Sequence, residues 1–447
     1  MDVAIIETSG LGDRSYLVSA NGVAVVIDPQ RDIDRVLDLA REHDVTITHV
    51  LETHIHNDYV TGGVELARTV GAEYVVAADD DVEFNRRAVH DGDTVDAGPF
   101  RFEVMHTPGH THTHLSYVLQ DDSGKPVGVF TGGSMLHGTT GRTDLVADED
   151  TTELTHAQFH SVRRLAEALP DDVEVYPTHG FGSFCSASPA SGDSSTIGEQ
   201  RSTNPALTND ENTYVEELIA GLSAYPAYYA HMGVINSAGP DPVDLSLPEP
   251  VDPVELRSRI ESGQWVVDLR NRTAFAAGHL AATMGFELST QFSVYLGWLY
   301  SWGAPITLIG DDQDQVLDAR RELARIGIDN LTGSAVGAID ELSGGTPTQS
   351  YRVADFAELA KTIGTADLTV LDVRQPQEYE SSHIVDAINI PLHELLARRD
   401  ELPAGELWVH CGSGYRASIA TSLIERPDRT VVLIDDSFDN AVEQSLT

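Results

Sequence analysis

Thr53-His54-Ile55-His56-Asn57-Asp58-Tyr59 limits this chain to folds that present a histidine-bearing loop at the end of a strand. The preceding run, Ile47-Thr48-His49-Val50-Leu51, is apolar enough to read as a buried strand. A Gly62-Gly63 step follows, then Val64, Leu66, Ala67 and Val70 in a helical pattern. In extended chain, residues two apart point the same way. His54 and His56 can therefore reach one ion, with Asp58 near a second position. Imidazole together with carboxylate suits zinc, iron or manganese. The competing reading is a polar turn that merely contains two histidines. Further histidines at other strand ends count against it.

Residues 100–106 read as a strand that leads into Thr107-Pro108-Gly109-His110-Thr111-His112-Thr113-His114. Residues 173–176 deliver Pro177-Thr178-His179-Gly180 in the same way. The segments 3–6, 15–19, 23–28, 73–77, 115–119 and 127–131 are further strands, and 33–43, 159–169 and 209–222 have helical spacing. Residues 183–205 are rich in Ser, Gly, Ala and Asp and read as a surface loop. Tyr225, Tyr228 and Tyr229 form an aromatic group expected to pack in the core. Strands running up to histidine loops, with helices outside, predict an α/β protein whose first part is an αββα sandwich with its site at one edge.

The net charge of −43 narrows the partners. Such a surface argues against nucleic acid and against anionic membrane. The acidic residues are spread along the chain, and Lys125 and Lys361 are the only lysines. This resembles the composition of salt-in halophiles, whose surroundings screen self-repulsion. The N-terminus lacks the basic region of a signal peptide, and no stretch has the length of a membrane span, so a cytoplasmic protein is expected. Cys185 and Cys411 are the only cysteines, which fits a reducing compartment. With 447 residues, the chain has room for two to four domains.

Residues 1–240 resemble the metallo-β-lactamase superfamily. The resemblance rests on Thr53-His54-Ile55-His56-Asn57-Asp58, Pro108-Gly109-His110-Thr111, Gly141-Arg142-Thr143-Asp144 and Pro177-Thr178-His179-Gly180. It implies that His54 and His110 are metal ligands. The family's carboxylate ligand follows a Thr-Gly step, and here Gly133 stands in its place; Tyr59 stands where a second-metal histidine is usual. His56 or Asp58 is expected to complete the site, with His179 a ligand or a neighbour of the ligands. His112, His114 and His137 are the other substitutes, and each reads as a surface or loop histidine. Cys185, close after His179, reads as a loop cysteine.

Past residue 253 the pattern changes to short α/β units, after a Pro- and Asp-rich linker at 241–253. The pattern occurs twice, predicting two small parallel α/β domains at 254–346 and 347–447. Within the second, residues 353–363 are expected to be helical. There a strand ends in Cys411-Gly412-Ser413-Gly414-Tyr415-Arg416 and runs into a helix. Backbone N–H groups of such a loop, the helix N-terminus and Arg416 would favour the thiolate and an anionic sulfur group upon it. This loop, with Asp372-Val373-Arg374, Glu378 and His383-Ile384, resembles the rhodanese family. The first copy has Gly310-Asp311-Asp312-Gln313-Asp314 at that place and no thiol.

The combination resembles persulfide dioxygenase–sulfurtransferase fusions. That resemblance implies one Fe(II) per chain, with zinc the alternative. Its partners would be a low-molecular-weight thiol persulfide, O2, and sulfite or thiosulfate, with sulfur transfer through a Cys411 persulfide. Two other functions stay open: a metal-dependent thioester hydrolase of the glyoxalase II type, and a sulfur carrier with a vestigial metal domain. A homo-oligomer also stays open.

Overall fold

Alternation along the N-terminal strands decides how the first part of the chain is layered. Tyr16, Val18, Val25 and Ile27 turn to one face of their sheet, while Leu17, Ala24 and Val26 turn to the other. Both faces are apolar, so the sheet must be covered on both sides. The computed structural model, described for residues 1–190, 192–364 and 368–447, meets that demand with two sheets and two helical layers.

The first sheet has six strands in chain order: Asp2–Thr8, Asp13–Ala20, Val23–Ile27, Thr46–Leu51, Glu73–Ala77 and Arg87–Val89. The second has five, in the order Glu174–Pro177, Pro126–Gly132, Leu115–Gln120, Phe100–His106 and Thr94–Ala97. Their inner faces meet through Tyr16, Val25 and Leu51 on one side and Phe102, Tyr117 and Phe130 on the other. Burying Phe102 or Phe130 stabilises the sandwich by ~2–3 kcal/mol each. Helices Asp34–Glu42 and Gly63–Val70 cover the first sheet through Val36, Ala40, Val64 and Leu66. Helices Thr151–Ala168 and Glu211–Gly221 cover the second through Phe159, Val162, Leu165 and Tyr214. The αββα order follows.

Three sequence expectations need correction here. Residues 183–205 are not all surface loop: Ile197–Thr203 is a helix, opened by a capping box between Thr196 and Glu199. The helix expected from 159 starts at Thr151, because the polar residues Thr155 and Gln158 are buried and mask the apolar period. The helix expected over 353–363 is instead the strand Arg352–Ala354, paired with Arg429–Ile434, followed by Phe356–Thr362. Asp355 separates the two by accepting a hydrogen bond from the Glu358 N–H.

The described chain divides into two units, Met1–Asp244 with Ala324–Gly327, and Leu245–Leu323 with Ile328–Thr447. The second unit holds two sheets whose paired strands are all parallel. One has the order Met284–Gly285, Trp265–Asp268, Ile306–Gly310 and Leu331–Val336. The other has Arg352–Ala354, Arg429–Ile434, Gly405–His410, Leu368–Asp372 and Ile388–Asn389.

The repeat is visible in atomic detail. Arg270 closes on Asp268 at 2.6 Å, and Arg374 closes on Asp372 at 2.6 Å. His279 stacks on Phe275 at 4.0 Å, and His383 stacks on Tyr379 at 4.0 Å. These shared Asp, Arg and His residues brace a strand end in both copies, with or without a cysteine.

Candidate metal centre and cysteine loop

Histidine loops from separate strand ends converge at one end of the sandwich, and Asp28 ties two of them together. Its carboxylate accepts from the Thr53 N–H at 2.7 Å, from the Thr53 hydroxyl at 2.7 Å and from the Thr178 hydroxyl. Thr53 precedes His54, and Thr178 precedes His179. Asp28 adopts φ +50°, a strained conformation for a residue with a Cβ, at the end of its strand.

His54, His110 and His179 bring ligand atoms within 4.8 Å of one another. Each ring is oriented by its Nδ1. His110 Nδ1 donates to the Arg142 carbonyl at 2.7 Å. His179 Nδ1 lies 2.9 Å from Asp13 Oδ1 and 3.1 Å from Asp58 Oδ2. His54 Nδ1 lies 2.9 Å from Thr53 Oγ1. The three Nε2 atoms are thereby left to face inward. Burial holds His54 well below the usual histidine range and, with the nearby His179, holds His110 at about 3, so both rings stay neutral. Burial also opposes charge on His179, yet Asp58 and Asp13 together raise it to about 10.

His56 takes a different part. Its Nε2 lies 2.9 Å from the Tyr59 hydroxyl, 3.1 Å from Glu52 and 3.4 Å from Asp28. Against burial, Asp28 and Glu52 raise it to about 9. Its Nδ1 has no partner among the described residues, and neither has Asp58 Oδ1. His56, Asp58 and His179 make a second potential ligand group. Tyr59 is fully buried and stacks on His56 at 4.3 Å between ring centres.

The remaining histidines divide by burial. His114 and His137 are loop histidines as expected, but both are buried and neither is at the surface. His114 Nε2 accepts from the Gly133 N–H at 3.0 Å, and His137 lies between the Val175 and Gly192 carbonyls. Both brace the loops that carry the cluster. His112 is exposed beside Asp150, and His106 donates to the His112 carbonyl at 2.9 Å. Cys185 is buried, with its sulfur 3.8 Å from the Tyr229 hydroxyl, and burial pushes its thiol up. The aromatic group is partly core, since Tyr228 and Tyr229 are buried while Tyr225 stacks on Tyr229 and faces Arg142. Arg142, whose carbonyl orients His110, and Gly180, which follows His179, line a cavity of about 570 Å³ together with Phe181, Ser183 and Phe184.

In the second unit, the strand Gly405–His410 hands over to Cys411, and the helix Tyr415–Ile424 begins four residues later. Gly414 makes the turn at φ +87°. Cys411 is buried and Ser413 is exposed. Arg416 does not stand free to face the thiol: both terminal nitrogens bond Glu378, at 2.6 and 2.8 Å. Tyr415, the first residue of that helix, sends its hydroxyl to the Glu287 carbonyl at 2.8 Å. In the first copy the equivalent turn is closed by its own Gln315, which accepts from the Asp311 N–H at 2.8 Å.

The metallo-beta-lactamase superfamily model matches residues 11–180, and the rhodanese-like domain model matches residues 355–444. A probable polyketide biosynthesis zinc-dependent hydrolase, BaeB, from Bacillus velezensis is 34% identical over 164 residues, covering 36% of this chain and 68% of that protein. The chain belongs to the metallo-beta-lactamase superfamily. Human mitochondrial persulfide dioxygenase ETHE1 is 29% identical over 240 residues, covering 53% of this chain and 80% of that protein. A solved metallo-beta-lactamase from Staphylococcus aureus subsp. aureus COL superposes with a TM-score of 0.67 at 29% identity, covering 76% of this chain and 99% of that one. A metallo-beta-lactamase fold at the N-terminus and a rhodanese domain at the C-terminus therefore share one polypeptide.

The histidines of the metallo-beta-lactamase motifs were legible in the sequence. Their supports were not. Asp28 and Glu52 each follow an apolar strand and Asp13 opens one, and a carboxylate at a strand end was the available signal. The backbone carbonyl of Arg142, which orients His110, leaves no such signal.

Proposed function

We propose that this chain oxidises a low-molecular-weight thiol persulfide at a single metal ion in its metallo-beta-lactamase domain and transfers sulfane sulfur through Cys411. The observation that carries this reading is the pairing, in one polypeptide, of a metallo-beta-lactamase domain with a cysteine loop of rhodanese type. A persulfide dioxygenase among the relatives of the first domain supports it. We assign residues 1–240 to the metal domain, 241–253 to a linker, 254–346 to a cysteine-free rhodanese-like domain and 347–447 to the domain of Cys411. Fe(II) is the preferred ion, the cytoplasm the preferred compartment and a saline interior the preferred surroundings.

The residues present fit a divalent transition metal, because His110 Nε2 is buried and has no partner among the described residues. Such an ion supplies Lewis acidity and open positions at which O2 and sulfur can meet. The chain supplies the rest. Arg142, Thr53 and the Asp13–Asp58 pair hold the imidazoles in the ligating tautomer. Phe181 and Phe184 wall the adjoining cavity, where a thiol carrier would sit. In the second unit, Glu378 holds Arg416 at the loop. The Cys411 thiolate attacks the sulfane sulfur of a donor, the donor's S–S bond breaks, and the donor leaves as thiolate or sulfite. A second thiol then takes the sulfur from the Cys411 persulfide.

A thioester hydrolase is the second reading, since a zinc-dependent hydrolase is among the relatives. Tyr59 and Gly133 weigh against the two-metal site it calls for. Anaerobically purified, iron-loaded protein should consume O2 when given a thiol persulfide, and His110→Ala should not. Cys411→Ser should keep O2 uptake and lose thiosulfate:thiol sulfur exchange. Thioester hydrolysis without O2 uptake sinks the first reading and raises the second.

A further inference from the structure

We infer that the ion is held by three imidazoles, through the Nε2 atoms of His54, His110 and His179, with no carboxylate bound directly to it. This assignment rests on ring placement and holds whichever reaction follows. His54 Nε2 and His179 Nε2 lie 3.3 Å apart. Two nitrogens bound at ~2.1 Å to one tetrahedral or octahedral ion lie ~3.0–3.4 Å apart, so this pair already has the spacing of two ligands. His110 Nε2 shares their ligand group and has no partner among the described residues. All three Nδ1 atoms are spoken for, by the Thr53 hydroxyl, the Arg142 carbonyl and the Asp13–Asp58 pair. That arrangement fixes each ring and strengthens it as a donor.

Position 133 cannot add a fourth side chain without displacing one of the three. A Cβ on Gly133 would lie 2.2 Å from His110 Cδ2. A Cβ on Gly141 would lie 2.7 Å from His110 Nδ1, so the ring is flanked by two glycines. His110 occupies the room that a carboxylate at 133 would need. The negative charge has moved outward by one imidazole, to Asp13 and Asp58 behind His179. With no carboxylate bound to it, a divalent ion in this set would favour a small anionic co-ligand.

His56 offers the competing donor, through its unpartnered Nδ1. It belongs to two potential ligand groups, one with Asp58 and His179 and one with Asp28 and Glu52, and neither contains His54 or His110. The two assignments therefore part at the variants. Chelator-stripped full-length protein is titrated with Co2+ alone, followed by visible absorption and by metal analysis after desalting, with far-UV circular dichroism on every variant. Wild type should bind one equivalent. His54→Ala, His110→Ala and His179→Ala should lose stoichiometric binding, and His56→Ala should keep it. Asp13→Asn should weaken Co2+ by ~10–100-fold through the His179 ring. Gly133→Asp should bind Co2+ more weakly than wild type. A folded His179→Ala that keeps its equivalent overturns the assignment, as does loss of the ion in a folded His56→Ala. X-ray absorption on the wild-type cobalt protein decides the matter even where a variant fails to fold. Three imidazole ligands are expected, and two or four overturn the set. None of these readouts depends on O2 uptake, so failure of the persulfide reading leaves the assignment standing, and the reverse.

Discussion

Asp80 shows how a single buried carboxyl contributes to a pH response. It lies beyond the strand Glu73–Ala77 and is 7% exposed; the Thr113 hydroxyl donates to its Oδ1, and its Oδ2 has no partner among the described residues. Burial pushes Asp80 up to about 6, and the Thr113 hydrogen bond only partly offsets that. Between ~4 and 6 the folded state then binds more protons than the unfolded one, so this group's contribution to stability falls as pH rises through that window. Asp80→Asn removes the titration. The variant's stability relative to wild type should therefore improve by ~2–3 kcal/mol between pH 4 and pH 7, whatever fixed cost the amide brings. Urea melts followed through the first unit measure it, and a relative stability that stays flat across those pH values refutes the assignment. Asp80 is one of three consecutive aspartates, and nothing local in the chain singles it out as the buried one. The clustered histidines were legible because their motifs are local. The missing carboxylate was legible at Gly133, but not that His110 fills its space, which depends on residues far apart in the chain.

Elements were legible where apolar period and punctuation agreed. Thr46–Leu51 and Gly63–Val70 fall close to their expected places, since an apolar strand, a glycine pair and an amphipathic helix succeed one another. Arg352–Ala354 escaped notice because a three-residue strand has no period to read. The cysteine loop was legible from its glycines, and Gly414 is the one whose freedom the geometry uses. At φ +87° a side chain is strained, and a Cβ there would lie 2.0 Å from Asp435 Oδ1 and 3.0 Å from its Cα. Gly414→Ala should cost the Cys411 domain ~2–4 kcal/mol, from backbone strain plus displacement of Asp435. It should also slow sulfur exchange on Cys411, because the N–H groups of the loop lose their common focus. Metal content should be unchanged. A variant that melts with wild type and exchanges sulfur at the wild-type rate would show that the loop does not need this turn.

At the scale of the whole molecule, a net charge of −43 should make stability depend on salt. The chain carries 71 acidic and 28 basic residues. Many of the arginines already lie in local pairs, such as Arg398 with Glu394 and Glu401, and Arg201 with Asp171. Exposed pairs of this kind contribute little each, ~0–1 kcal/mol, and leave the excess of carboxylates to repel one another. The unfolded chain spreads those charges and relieves the repulsion, so removing salt favours unfolding. Screening lengths of ~30 Å at 0.01 M, ~10 Å at 0.1 M and ~3 Å at 1 M set where the response should lie. The melting temperature should climb steeply with KCl up to ~1 M and more slowly beyond, at ~2–4 °C per kcal/mol for a unit of this size. Sucrose, which strengthens burial without screening, should not reproduce the steep part. Calorimetry at fixed pH, with KCl compared against sucrose, separates the two. A melting temperature unmoved between ~0.01 and 1 M KCl would mean that the acidic surface is compensated in the fold itself.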